Sequence, residues 1–127
     1  MPVEDLRKSP MMEHLLDALE QGEDIGHYGR LTFTMIGRYF VSNDEMVELL
    51  TKDHDADERE MRALVQQVED KGYSPPRRER ILQWQDQQDF QICPNPDDPD
   101  SCNIYNELEM PDEVYQSIEE YREEKSS

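Results

Sequence analysis

Positive charge is what this sequence has least of. Its 127 residues hold 13 Lys and Arg against 31 Asp and Glu, a formal net charge of -18. Only four of the 13 bases are lysines: Lys8, Lys52, Lys71 and Lys125. A charge of this sign and size repels DNA, RNA and anionic membranes, unless salt intervenes. At molar salt the Debye length falls to about 3 Å and distant carboxylates cease to matter. Cysteine is nearly absent, and two residues, Cys93 and Cys102, are too few for a disulfide-rich scaffold. No apolar run approaches the roughly 20 residues of a membrane span. The opening MPVEDLRKSP has no apolar core of a secretory signal, so a cytoplasmic location is expected. There is no Gly-rich phosphate loop, no His/Cys spacing that binds metal, and no internal repeat. The many carboxylates read as solvated surface rather than acid–base pairs, and no catalytic constellation stands out.

What is present is helical. Apolar and charged residues each make up 35 % of the chain, enough for one domain with a modest core. Ser9-Pro10 is an N-cap followed by Pro at the first helical position, ahead of an apolar stripe of Met11, Met12, Leu15, Leu16 and Leu19. A second helix is predicted from about Gly26 to Phe40. Ser42-Asn43-Asp44-Glu45 is a capping box for a third, and Asp55 with Glu58 opens a fourth that ends at Gly72. Ser74 can cap a fifth helix carrying Ile81, Leu82 and Trp84. The stretch CPNPDDPDSCN, with three Pro and three Asp, is a loop. A last short helix from Pro111 uses Val114, Tyr115, Ile118 and Tyr121. No segment alternates like a strand. The expected fold is all-α: a compact single-domain bundle of about five to six helices with a long acidic Pro/Asp loop. Residues 1–8 read as an extension, 9–122 as the helical domain and 123–127 as a frayed acidic tail. The acid-rich, Lys-poor composition resembles that of proteins from salt-loving archaea.

GHYGRLTFTMIGRYF, residues 26–40, is the one basic and aromatic stretch. On a helix, His27, Arg30, Thr34 and Arg38 share one face, and Tyr28, Leu31, Met35 and Tyr39 share a neighbouring one. The second set reads as core. The first is either a solvated face whose arginines pair with nearby carboxylates or an anion-binding face, since a guanidinium donates two hydrogen bonds to a phosphate.

PMMEHLLDALEQGEDIGHYGRLTF resembles the start of the C-terminal domain of the large subunit of archaeal and eukaryotic DNA primase. Pro10, Met11 and Leu15 fall on that family's Pro-x-Cys-x-x-x-Leu element, and His27, Tyr28, Gly29 and Arg30 on its His-x-Gly-Arg element. GYSPP (Gly72 to Pro76) is similar to its Tyr-Ser/Thr-Pro-Pro-x-Cys element, and Cys93 and Cys102 fall on its later cysteine positions. The resemblance spans roughly residues 9–115. Family members hold a four-iron, four-sulfur cluster on four Cys. Here Met11 and Arg78 stand at the first two cysteine positions, and neither ligates cluster iron. No cofactor or metal is therefore expected. Cys93 and Cys102 are expected as two reduced thiols, a disulfide between them being the alternative that a reducing cytoplasm disfavours.

The resemblance implies a non-catalytic domain that binds nucleic acid or 5′-triphosphate primer ends in DNA replication or priming. It assigns phosphate contacts to His27 and Arg30, with Arg38 and Tyr73 beside them. Arg77 and Arg78 belong to a second basic cluster that also includes Arg80. Arg78 either extends that basic surface or, the preferred reading, makes a salt bridge that replaces the lost cluster as a staple. Implied partners are single-stranded DNA or a primer–template, and a primase catalytic subunit or another replication protein. The rival reading is a protein-interaction module with a vestigial nucleotide face and an acidic docking surface.

Overall fold

The computed structural model describes residues 3–116, which are all-α, with no strand among them. Residues 3–8, expected as an extension, form a 3-10 helix, η1 (Val3–Lys8), that sets Leu6 into the core. α1 (Pro10–Glu20) begins where the sequence placed it. Ser9 Oγ accepts the Met12 N–H at 3.2 Å, and Pro10 sits in the first turn, where its missing N–H costs nothing. Its stripe of Met11, Met12, Leu15, Leu16 and Leu19 is fully buried. Ser9 also donates to Glu107 Oε2 at 2.7 Å, while Glu107 Oε1 accepts from the Cys102 N–H at 3.2 Å. One carboxylate thus ties the start of α1 to the distant C-terminal loop.

α2 (Gly26–Gly37) is the central helix, packed against α1, α3, α4 and α5. Every residue from 32 to 37 is buried, so it has no solvated face along its second half. It stops at Gly37 instead of Phe40, the chain turning through hydrogen bonds from Phe40 N–H to Gly37 O and Val41 N–H to Gly37 O. The missing side chain at Gly37 leaves the room that the Met46 methyl fills, which lets α3 (Asn43–Leu50) cross closely. Ser42 caps α3 by accepting from Glu45 N–H at 3.2 Å.

α4 (Glu58–Lys71) packs on α3 and ends at Gly72, which is left-handed at φ 62°. Asp55 is not part of it, because its N–H donates to Asp53 Oδ1 at 2.8 Å, and Asp57 is the N-cap. α5 (Arg78–Gln85) starts later than a Ser74 cap would allow. Pro75 and Pro76 hold the preceding backbone extended, and Arg77 becomes the N-cap residue. After the acidic loop come α6 (Ile104–Glu107) and a helical stretch at 112–116 that buries Val114. Ile118, Tyr121 and the tail from 123 lie outside the described residues.

The loop is a covalent ring. Cys93 and Cys102 form a disulfide with Cα atoms 5.9 Å apart, not the two thiols expected from the sequence. Both are buried in the cluster that also contains Met11. Turns at Asn95–Asp98 and Asp98–Ser101 fold the ten-residue stretch back, bringing its two ends within bridging distance.

Candidate functional site

The basic stretch of α2 does not present one face. His27, at the start of the helix, is exposed, but Thr34 is fully buried and returns its hydroxyl to Arg30 O at 2.8 Å. Arg30 is turned inward. Its Nη1 donates to Asp53 Oδ2 at 2.9 Å and to Asp24 Oδ1 at 3.1 Å. The Asp53 side chain has no solvent exposure. Its Oδ2 also accepts the Ile25 N–H at 2.9 Å, so a single carboxylate holds both the entry to α2 and the guanidinium one turn on. Arg38 lies over the ring of Tyr39, 4.6 Å from its centre, and donates to the Tyr39 hydroxyl at 2.9 Å. Of the two choices open for this stripe, Arg30 takes the carboxylate pairing, whereas Arg38 meets an aromatic ring and hydroxyl, which neither choice named.

Arg78 does not form the expected salt bridge. Its Nη2 donates to the carbonyls of Pro96 at 2.7 Å and Asp98 at 3.1 Å, inside the disulfide ring. The bond is to backbone dipoles rather than to a carboxylate. It joins the start of α5 to the loop that carries Cys93 and Cys102.

Three of the expected residues do converge. His27 from α2, and Tyr73 and Arg77 from the linker between α4 and α5, line a groove of about 730 Å³. Its floor is apolar: Leu31 and Met35 from α2, with Leu64 from α4. Met35 is buried, and Leu31 and Leu64 are half-buried. Trp84 and Arg80 enter from α5. Arg77 and Arg80 are both exposed, and one carboxylate, Glu79, also stands in the lining. The rim is therefore a local patch of positive charge on a strongly negative chain.

Trp84 is braced. Its ring stacks on Tyr28 with centroids 5.5 Å apart and planes 15° from parallel. Tyr28 in turn donates its hydroxyl to Gln87 Oε1 at 3.2 Å and its N–H to Gln88 Oε1 at 2.9 Å. Gln88 Nε2 then donates to Ile25 O at 2.9 Å. The amide of Gln88 thus fastens the start of α2 to the segment after α5, which sets His27 and Trp84 in fixed relation.

Sequence reasoning missed Arg80 and Trp84 as part of one surface with His27. The signal was there in part: positions 77, 80 and 84 are spaced 3 and 4, one stripe along α5. Leu31 and Met35 were expected as core and serve as core and groove floor together. Another cavity, lined among others by Lys8, Phe40, Asn106 and Tyr115, contains none of the expected residues. No group of three or more His, Cys, Asp or Glu able to hold a metal ion occurs among the described residues. No helix of the described residues is long and apolar enough to cross a membrane. The chain matches no protein family, no curated protein and no solved structure.

Proposed function

We propose that the chain is a non-catalytic binding domain whose groove takes the phosphate-bearing end of a nucleic-acid strand, serving DNA replication or priming. What carries the reading is the convergence of His27 from α2 with Tyr73 and Arg77 from the α4–α5 linker and Arg80 from α5 on one groove. The exposed Arg77 and Arg80 can donate paired hydrogen bonds to phosphate oxygens, and His27 adds a third donor. Of the three, His27 is a phosphate contact that the resemblance to the primase large-subunit domain implies, and Arg77 and Arg80 come from the second basic cluster, on a surface otherwise hostile to polyanions.

The partners that follow are single-stranded DNA or a primer–template, in the company of a primase catalytic subunit or another replication protein. Fluorescence anisotropy with a 5′-triphosphate primer–template, at several salt concentrations, tests the reading. Binding is expected to weaken by about tenfold for Arg77→Ala or Arg80→Ala, the worth of one charge-assisted phosphate contact. Affinity that ignores both substitutions, or no binding at any salt, would overturn it.

A further inference from the structure

Phosphate recognition requires only the rim of the groove, yet most of its wall is apolar and aromatic. Among the described residues, Tyr73 is the one large hydrophobic side chain classed as exposed, at 38 %. It lines the groove together with Trp84, Leu31 and Met35. An exposed aromatic in a groove with an apolar lining is costly in water, and a flat ring bound in the groove removes that cost. Trp84 is already backed by Tyr28, so a ligand ring stacked on it meets a rigid platform.

We infer that the groove receives the base of the strand's terminal nucleotide, unstacked from its neighbour, while the arginines hold its phosphates. The inference rests on the reading above and names what the same site recognises beyond charge. A purine or pyrimidine suits the cavity on three counts: it is flat, it stacks on Trp or Tyr whatever its sequence, and it carries its phosphate a short distance away, where Arg77 and Arg80 stand. The amides of Gln67 and Gln83 line the same cavity and offer both donors and acceptors to a base edge. A base paired and stacked within a duplex cannot enter, so the site is selective for strand ends and single strands.

Trp84 is the only tryptophan in the chain, which makes it an internal reporter. The full chain is titrated with two 5′-triphosphate oligonucleotides, identical except that one has an abasic terminal residue. Anisotropy and tryptophan fluorescence are read together. The intact strand should quench Trp84 and bind about tenfold more tightly than the abasic one, and Tyr73→Ala should remove most of that difference. Tyr73 is exposed, so this variant keeps the fold. Equal binding of both strands without quenching overturns the base site and leaves phosphate recognition standing. Failure of both strands to bind overturns both. Quenching by an acidic amphipathic peptide, with no response to either strand, assigns the groove to a protein partner and also overturns the inference.

Discussion

Removing the Arg30 guanidinium would leave the Asp53 carboxylate fully buried with only two backbone N–H groups as partners. Breaking a buried pair from one side costs about 3–5 kcal/mol, because the remaining charge is uncompensated. Arg30→Ala should therefore lower stability by that amount in urea denaturation, while the nucleic-acid binding proposed above should be the same in the folded fraction as in the parent chain. Unchanged stability with lost affinity would instead return Arg30 to a phosphate-binding role. Tyr105 makes a prediction of another kind. Its hydroxyl donates to Pro75 O, and burial pushes its pKa up to about 12. A folded-state value above the ordinary 10 means the native state holds this proton longer than the unfolded chain. The associated stability is complete below about pH 10 and is lost as pH rises toward 12. Alkaline denaturation should consequently begin later for Tyr105→Phe than for the parent chain, in units of its own neutral-pH stability. The arginines show how far charge could be read from the sequence. That Arg30 pairs with a carboxylate was one of two open choices, because Asp53 lies 23 positions from Arg30 and only folding brings it there.

At the scale of elements, two glycines separate conformational cost from packing cost. Gly72 ends α4 at φ 62°, and a Cβ there would meet nothing within 4 Å. Gly72→Ala should cost about 1 kcal/mol, the left-handed penalty alone. Gly26 opens α2 at φ 78°, and a Cβ there would overlap the Gln88 amide. Gly26→Ala must displace the group that bonds both Tyr28 N–H and Ile25 O, adding at least about 1 kcal/mol for each bond lost. It should also loosen the Tyr28–Trp84 stack, visible as a change in Trp84 fluorescence. Equal losses for the two variants would show that the Gln88 clamp contributes nothing. Helix starts marked by Ser9 and Ser42 were legible because a cap is a local event. The start of α5 was not, since the two prolines after Ser74 override its capping ability. The end of α2 was not either, because it depends on Met46 from another helix.

For the molecule as a whole, charge and the disulfide set the expectations. The net charge of -18 repels itself in the compact state, whereas the exposed ion pairs of Arg62 with Asp44 and Glu58 are worth little. Screening should thus raise the melting temperature as KCl goes from about 0.1 M to molar levels. A flat or falling curve would mean that attractive pairs dominate after all. Closing the short ring between Cys93 and Cys102 constrains the unfolded chain by about 2–3 kcal/mol. The Cys93→Ser, Cys102→Ser double variant should be less stable by that amount, and the denatured, unreduced parent should show no titratable thiol. Two thiols in that assay would reinstate the reduced state expected from the sequence.

Local pattern alone determined that the described residues are all-α, where α1 and α3 begin, where α4 ends, and that residues 93–102 form a loop. Each of these follows from neighbours within about one helical turn: a capping hydroxyl, a proline, a left-handed glycine, an apolar repeat. Only the tertiary structure decided which side chains of residues 26–40 reach solvent, because α2 is enclosed by four other helices and its spacing cannot say so. It likewise decided that His27 shares a groove with Tyr73, Arg77, Arg80 and Trp84 rather than with Arg30 and Arg38. A helix repeat specifies which residues share a face. Whether that face meets water, a carboxylate or another helix depends on contacts far apart in the chain.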